Sequence, residues 1–138
     1  MLDVPKSVCV VDDDTIYQFT TARMIQLVDE SVRVMSFGDG EQAIRHIHAH
    51  LDNVEMLPDM ILLDINMPLM DGWEFLKAYD QIKDRLGKAI KIYVVSSSID
   101  ERDVSRARSI NHVVDYVEKP VTTDRLRELL LRYAGSVN

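Results

Sequence analysis

The chain has 138 residues, a length that suits one domain around one core. Hydrophobic residues make up 46%, which excludes a disordered chain, and 16 Lys and Arg against 23 Asp and Glu give a net charge of −7 that argues against a direct nucleic-acid partner. No apolar run can span a bilayer, and the N-terminus lacks the charged-then-apolar pattern of a secretory signal, so a cytoplasmic protein without membrane insertion is expected.

Val8-Cys9-Val10-Val11 predicts strand 1, about Ser7 to Val11, which ends at Asp12 and Asp13. Cys9, the only cysteine, is expected as a buried, inert thiol. Asp14 serves as N-cap for helix 1, about Thr15 to Val28. Strand 2 follows at Arg33 to Phe37, then the turn Gly38-Asp39-Gly40 and helix 2 from Glu41 to about Leu51. His46 and His50 are four apart on that helix, with His48 between them. No carboxylate or cysteine completes a coordination set there, so a solvated helix end is expected rather than a metal site.

Pro58-Asp59 precedes strand 3, Met60 to Asp64. Helix 3 begins near Gly72 and runs to about Arg85, with Gly87 expected as a left-handed cap. Trp73, at its start, is expected partly buried near the strand ends. Strand 4, Lys91 to Val95, leads into Ser96. Helix 4 runs from around Asp100 to near Ile110, and His112 is expected in an exposed turn. Strand 5, Val113 to Val117, leads into Glu118, Lys119 and Pro120. Helix 5 begins near Thr123 and carries Leu126, Leu129, Leu130 and Tyr133 on one face. Gly135 to Asn138 reads as a tail, so residues 1–138 are expected to form one domain without an attached output domain.

Strands alternating with helices predict an α/β fold, (βα)5, with a parallel five-stranded sheet. Strands 1, 3 and 4 are continuous apolar runs, as strands buried on both faces should be. All strand C-termini of such a sheet lie at one edge, where ligands bind. Asp12, Asp13, Asp64, Ser96 and Lys119 should therefore converge. Asp13 and Asp64 can each give Mg²⁺ one oxygen, Asp12 can bind through water, and the Asn66 backbone carbonyl can give another. Asp64 is the candidate nucleophile for a phosphoryl group, Lys119 can neutralise phosphoryl oxygens, and Ser96 can donate one a hydrogen bond. A lone acidic pair or a lone Lys-Pro is ordinarily a solvated turn; the ordered set at equivalent strand ends is the signal.

These segments resemble the receiver domain of two-component response regulators. Val10-Val11-Asp12-Asp13-Asp14 is similar to its acidic-pair motif, and Leu62-Leu63-Asp64-Ile65-Asn66-Met67-Pro68-Leu69-Met70-Asp71-Gly72 to its phosphoacceptor segment. Val94-Val95-Ser96-Ser97 resembles the switch Ser/Thr with its small neighbour. Asp115-Tyr116-Val117-Glu118-Lys119-Pro120 resembles the aromatic switch position and the Lys-Pro that follows it. The resemblance covers about Ser7 to Tyr133.

It implies a flavodoxin-like, doubly wound sheet of order 2-1-3-4-5. It also implies a cis bond between Lys119 and Pro120, and phosphoryl transfer to Asp64 from a sensor histidine kinase or a histidine phosphotransfer protein. In the implied switch Ser96 moves toward the phosphoryl group, Tyr116 rotates inward, and the surface of helix 4, strand 5 and helix 5 signals to a downstream protein. Such a protein is a phosphoacceptor that assists its own phosphorylation and dephosphorylation rather than an enzyme. Ser96 stands where Thr is more frequent, Ser97 where Ala is, and the stretch Ala49 to Pro58 exceeds the shortest members of the family. Arg102, Arg106 and Arg108, with Asp115, Glu118 and Asp124 nearby, offer a homodimer through the same surface.

Two other readings compete. A haloacid-dehalogenase-type phosphatase uses the same residue types, but there the nucleophile precedes the acidic pair, and Asn66 cannot act as general acid. A phosphorylation-independent binding module of the same fold predicts that Asp64 is dispensable.

Overall fold

A computed structural model describes residues 4–133. The tail expected at 135–138 lies outside the described residues. Five strands, β1 (Ser7–Val11), β2 (Arg33–Phe37), β3 (Met60–Leu63), β4 (Lys91–Ser96) and β5 (Val113–Glu118), pair in parallel in the order β2-β1-β3-β4-β5. Between and after them run α1 (Thr15–Val28), α2 (Gly40–Ala49), α3 (Gly72–Ile82), α4 (Glu101–Arg108) and α5 (Thr123–Leu131). The doubly wound α/β architecture and the strand order both match expectation.

Burial follows the sheet order. β1 and β3 are buried throughout and β4 nearly so, whereas the edge strands expose Arg33 and Ser36 in β2 and Val114 and Glu118 in β5. Two cores result. Val8, Val10, Leu62, Val95 and Val117 meet α1 and α5 on one face. Cys9, Val11, Ile61, Leu63 and Val94 meet α2, α3 and α4 on the other. Cys9 is buried, and desolvation pushes its thiol up, which keeps it protonated and inert.

The helix starts are set by side-chain caps. Asp14, Asp39, Asp71, Asp100 and Thr122 each accept a hydrogen bond from a first-turn backbone N–H, and Asp71 forms a full capping box with Glu74. The ends depart further from expectation. The α-helical part of α3 stops at Ile82 and tightens into a 3-10 turn, Lys83–Arg85. α4 stops at Arg108, where the Ser109 N–H bonds back to Ser105 and Arg106.

Gly87 is not a left-handed cap, because no described glycine has positive φ. A Cβ at Gly87 would lie 2.5 Å from Val54 Cγ1, so close packing explains this glycine instead. Val54 belongs to the long link before β3, where a 3-10 turn, Val54–Met56, lies along the N-terminal edge of the sheet. Arg33 donates to the Glu55 carbonyl at 3.1 Å, and His46 Nε2 lies 2.8 Å from the Met56 carbonyl.

His48 is exposed, as expected for a solvated helix end, while His46 and His50 are half-buried. The His46 ring packs at a tilt against Phe37 and His50, and His50 Nδ1 lies 2.7 Å from the His46 carbonyl, which leaves the pair tied to backbone rather than arranged around a metal. His112 is not an exposed turn residue. Its side chain is 12% exposed against Tyr79, and burial followed by the nearby Lys83 lowers its pKa.

Candidate functional site

The C-terminal edge of the sheet gathers Asp12 and Asp13 after β1, Asp64 after β3, Ser96 at the end of β4 and Lys119 after β5. Each is held by the local chain. Asp64 N donates to the Val11 carbonyl at 2.9 Å, and the Asp64 carboxylate accepts from Ile65 N at 2.9 Å. Lys119 N donates to the Ser96 carbonyl at 2.8 Å, which ties the two strand ends together. The peptide bond between Lys119 and Pro120 is cis, as expected.

One carboxylate oxygen from each of Asp12, Asp13 and Asp64 lies within 4.8 Å of the others. Asp12 and Asp64 are buried, and Asp13 is exposed. Lys119 Nζ lies 2.7 Å from Asp12 Oδ2 and 3.6 Å from Asp64 Oδ1. Three carboxylates against this one ammonium leave a formal surplus of two negative charges at this edge. The donor set is oxygen only, which fits a hard divalent cation such as Mg²⁺.

The titration of the site follows from its burial. Desolvation raises the Asp64 pKa above the usual carboxylate value, Lys119 opposes this and the nearby Asp12 adds to it. Burial pulls Lys119 down, but the hydrogen bond to Asp12 and the charge of Asp64 outweigh it, so the ammonium form is favoured.

Ser96 is fully buried, and its Oγ accepts from Ser98 N at 3.1 Å, which leaves the hydroxyl proton to be directed elsewhere. Tyr116 is buried in this structure, and its hydroxyl donates to the Ser98 carbonyl at 2.5 Å. It already occupies the inward position expected to follow phosphorylation. Ser97 and Asn66 are exposed, and the Asn66 backbone N–H donates to the Asp64 carboxylate. Trp73 is half-buried as expected, but its ring faces α4, with the Arg106 guanidinium 4.3 Å from the ring centroid.

Several neighbours escaped the sequence reading. Gly72 packs so tightly that a Cβ there would lie 2.5 Å from the Asp64 carbonyl, and its N–H bonds the Ile65 carbonyl at 2.8 Å. Leu69, in the loop after Asp64, has φ of 63°, with Met70 N donating to the Pro68 carbonyl at 2.7 Å. Gln18 Nε2 donates to the Asp12 carbonyl at 2.5 Å, and the Tyr17 ring lies beneath Lys119. The position of Tyr17 just after the acidic pair was the available signal. Arg102 and Arg108 pair within the chain, with Asp100 and Asp115 respectively, and Asp124 pairs with Arg127.

The model for the response regulator receiver domain family matches residues 8–131. The chain is 32% identical over 125 residues to a probable methanogenesis regulatory protein, FilR2, of Methanothrix harundinacea, covering 89% of this chain and 77% of that protein. It is 29% identical over 126 residues to a probable C4-dicarboxylate response regulator, DctR, of Bacillus subtilis, covering 91% of this chain and 51% of the relative. The crystal structure of a two-component response regulator from Cytophaga hutchinsonii superposes with a TM-score of 0.85 at 29% identity, over 96% of this chain and 99% of that one. Among the described residues, no helix is long and apolar enough to cross a membrane.

Proposed function

Because this chain belongs to the response regulator receiver family and has its phosphoacceptor signalling role, we propose that Asp64 is the residue that accepts the phosphoryl group. The observation that supports this is the position of Asp64: mid-sheet, 7% exposed, 3.6 Å from Lys119 and inside the cluster with Asp12 and Asp13. The donor is a phosphohistidine of a sensor kinase or phosphotransfer protein. An Asp64 carboxylate oxygen forms the new P–O bond as the P–N bond breaks, and the bond's electron pair leaves with the donor imidazole.

Asp12, Asp13, Asp64 and the Asn66 backbone carbonyl would hold Mg²⁺. The cation supplies charge neutralisation at the phosphoryl oxygens. Lys119 turns from Asp12 to a phosphoryl oxygen and stabilises the charge that develops there. Ser96 donates its hydroxyl proton to another oxygen, and Ser97 borders the phosphoryl position.

Ser96 and Tyr116 are linked through Ser98, which uses its N–H on one and its carbonyl on the other. A phosphoryl group that draws in Ser96 would therefore stabilise the inward Tyr116 already present here, and with it one arrangement of α4, β5 and α5. That surface is the output to a downstream protein or to a second copy of the chain in a cytoplasmic pathway. Sedimentation that stays monomeric with and without phosphoryl mimic would remove the second copy.

Intact mass after incubation with a small acyl phosphate and Mg²⁺ tests the assignment. One added phosphoryl group on the wild type and none on Asp64→Asn is expected. Addition to Asp64→Asn would overturn it. A phosphorylation-independent module predicts no adduct on either protein and no change in Trp73 fluorescence with beryllofluoride and Mg²⁺.

A further inference from the structure

The Lys119 ammonium has a third neighbour besides Asp12 and Asp64. Its Nζ lies 4.3 Å from the centroid of the Tyr17 ring, close enough for the ring's negative face to attract it. Tyr17 is half-buried and packs against the α1–α5 core, so the ring has little room to leave.

The chain also builds Tyr17 and the ammonium's acidic partner as one unit. The Asp14 carboxylate accepts from Ile16 N at 2.9 Å and from Tyr17 N at 3.1 Å. Asp14 N donates to Asp12 Oδ1 at 2.9 Å, while Asp12 Oδ2 holds Lys119 at 2.7 Å. Gln18, the residue after Tyr17, donates to the Asp12 carbonyl. The first turn of α1 is thus set by the loop that binds Lys119, and it carries the ring to the ammonium.

The three neighbours differ in one respect. Asp12 and Asp64 also belong to the cluster suited to a divalent cation, so they are shared when that cation binds. The tyrosine ring cannot ligate Mg²⁺ and remains with the ammonium. A lysine on a flexible four-carbon stem, with its carboxylates drawn toward a cation, needs such a partner to stay in register.

We infer that Tyr17 is a positioning residue for phosphoryl acceptance: its ring face holds the Lys119 ammonium in place, and shields it from water, as it passes from Asp12 to the incoming phosphoryl oxygen. The inference rests on the phosphoacceptor reading of this site. A residue that merely fills the α1–α5 core would act through shape alone and would not distinguish a ring from an alkyl chain of similar size.

Proton NMR of the wild type gives the first readout, with Lys119 assigned from the spectrum of Lys119→Arg. Its ε-methylene protons should be shifted upfield by the Tyr17 ring current, without cation and with Mg²⁺ and beryllofluoride. Tyr17→Leu should lose the shift and take phosphoryl from a small acyl phosphate about fivefold more slowly. Tyr17→Phe, which keeps the ring, should restore both. Should Tyr17→Leu fail to fold, Tyr17→Met repeats the comparison with a more adaptable side chain. An unshifted Lys119 in the wild type, or a folded ring-less variant with the wild-type rate, overturns the inference. Asp64→Asn separates the two ideas, since phosphorylation of that variant removes the acceptor assignment and leaves the ring current at Lys119 untouched.

Discussion

Both edges of the sheet carry a partly buried Asp–Lys pair, and the two have the same length. At the N-terminal edge Lys88 Nζ lies 2.7 Å from Asp59 Oδ1, and at the C-terminal edge Lys119 Nζ lies 2.7 Å from Asp12 Oδ2. Around Asp59 every partner is used. Its other oxygen accepts from Lys6 N at 2.8 Å, Lys88 also donates to the Leu57 carbonyl at 3.0 Å, and the Asp59 backbone joins Ser7 and Lys91 across three strands. One acid meets one base, and the pair is balanced in charge. Around Lys119 two carboxylates, Asp12 and Asp64, share one ammonium, and Asp13, with an oxygen within 4.8 Å of theirs, adds a third acid that is exposed to solvent. A partly buried ion pair is therefore no mark of function by itself. The uncompensated charge beside it is what a cation and a phosphoryl group can use.

The same substitution at each edge should break the symmetry most clearly. Lys119→Met should slow phosphorylation by an acyl phosphate by roughly 10²–10³-fold, because it removes a donor aimed at developing charge. Lys88→Met should leave that rate unchanged and lower stability by about 2–3 kcal/mol, since Asp59 is left without its cation in a partly buried site. Stopped-flow acceptance assays and urea denaturation of both variants check this; a slowed Lys88→Met would erase the distinction.

Charge surplus also separates the edges in their response to Mg²⁺. A ligand that binds only the folded state at a hundredfold excess over its Kd stabilises by about 2.7 kcal/mol, or about 10 °C in a domain of this size. The wild type and Lys88→Met should both show this rise in a thermal melt, and Asp13→Asn should show much less.

A smaller effect follows from Asp64 without Mg²⁺. Its raised pKa means that the folded chain holds the proton more tightly than the unfolded chain does. The resulting stability is present at low pH and is lost as pH rises from the ordinary carboxylate value through the raised one. Asp64→Asn should accordingly be more stable than the wild type at neutral pH in a chelator, with the gap narrowing as the solution is acidified. A constant gap in urea melts across that range would show that burial of the charge is not the cause.

The smallest expected change lies in the loop after Asp64. Leu69 has φ of 63° and is 81% exposed, so it bears left-handed strain with little packing in return. Leu69→Asn should stabilise the chain by about 1 kcal/mol, read from chemical denaturation. No gain would mean that Leu69 makes up its backbone cost elsewhere.

The strand positions were legible in the sequence because the sheet is parallel and central. Val8 to Val11, Met60 to Leu63 and Ile92 to Val95 are apolar on both faces, and each run stops where the edge begins. The acidic pair, Asp64, Ser96 and Lys119 could be read for the same reason, since strand ends of one hand share one edge. The errors fell where distant contacts decide local structure. Gly87 is small because Val54, thirty-three positions earlier, packs on it, and His112 is buried because Tyr79 lies on its ring. Neither neighbour can be read from local periodicity.

The sequence by itself determined the order of strands and helices, the Asp14 cap that starts α1 and the kinds of group at each strand end. These depend on local hydrogen bonding and on the periods of two and 3.6 residues. The tertiary structure alone decided which charges meet. It joined Lys119 to Asp12 across 107 positions and laid the Tyr17 ring against that ammonium. It also left the carboxylate surplus at one edge of the sheet and the charge-balanced pair at the other. Coulomb energy and ring attraction depend on distances of a few ångströms, and only the packing of the sheet against α1 and α5 sets them.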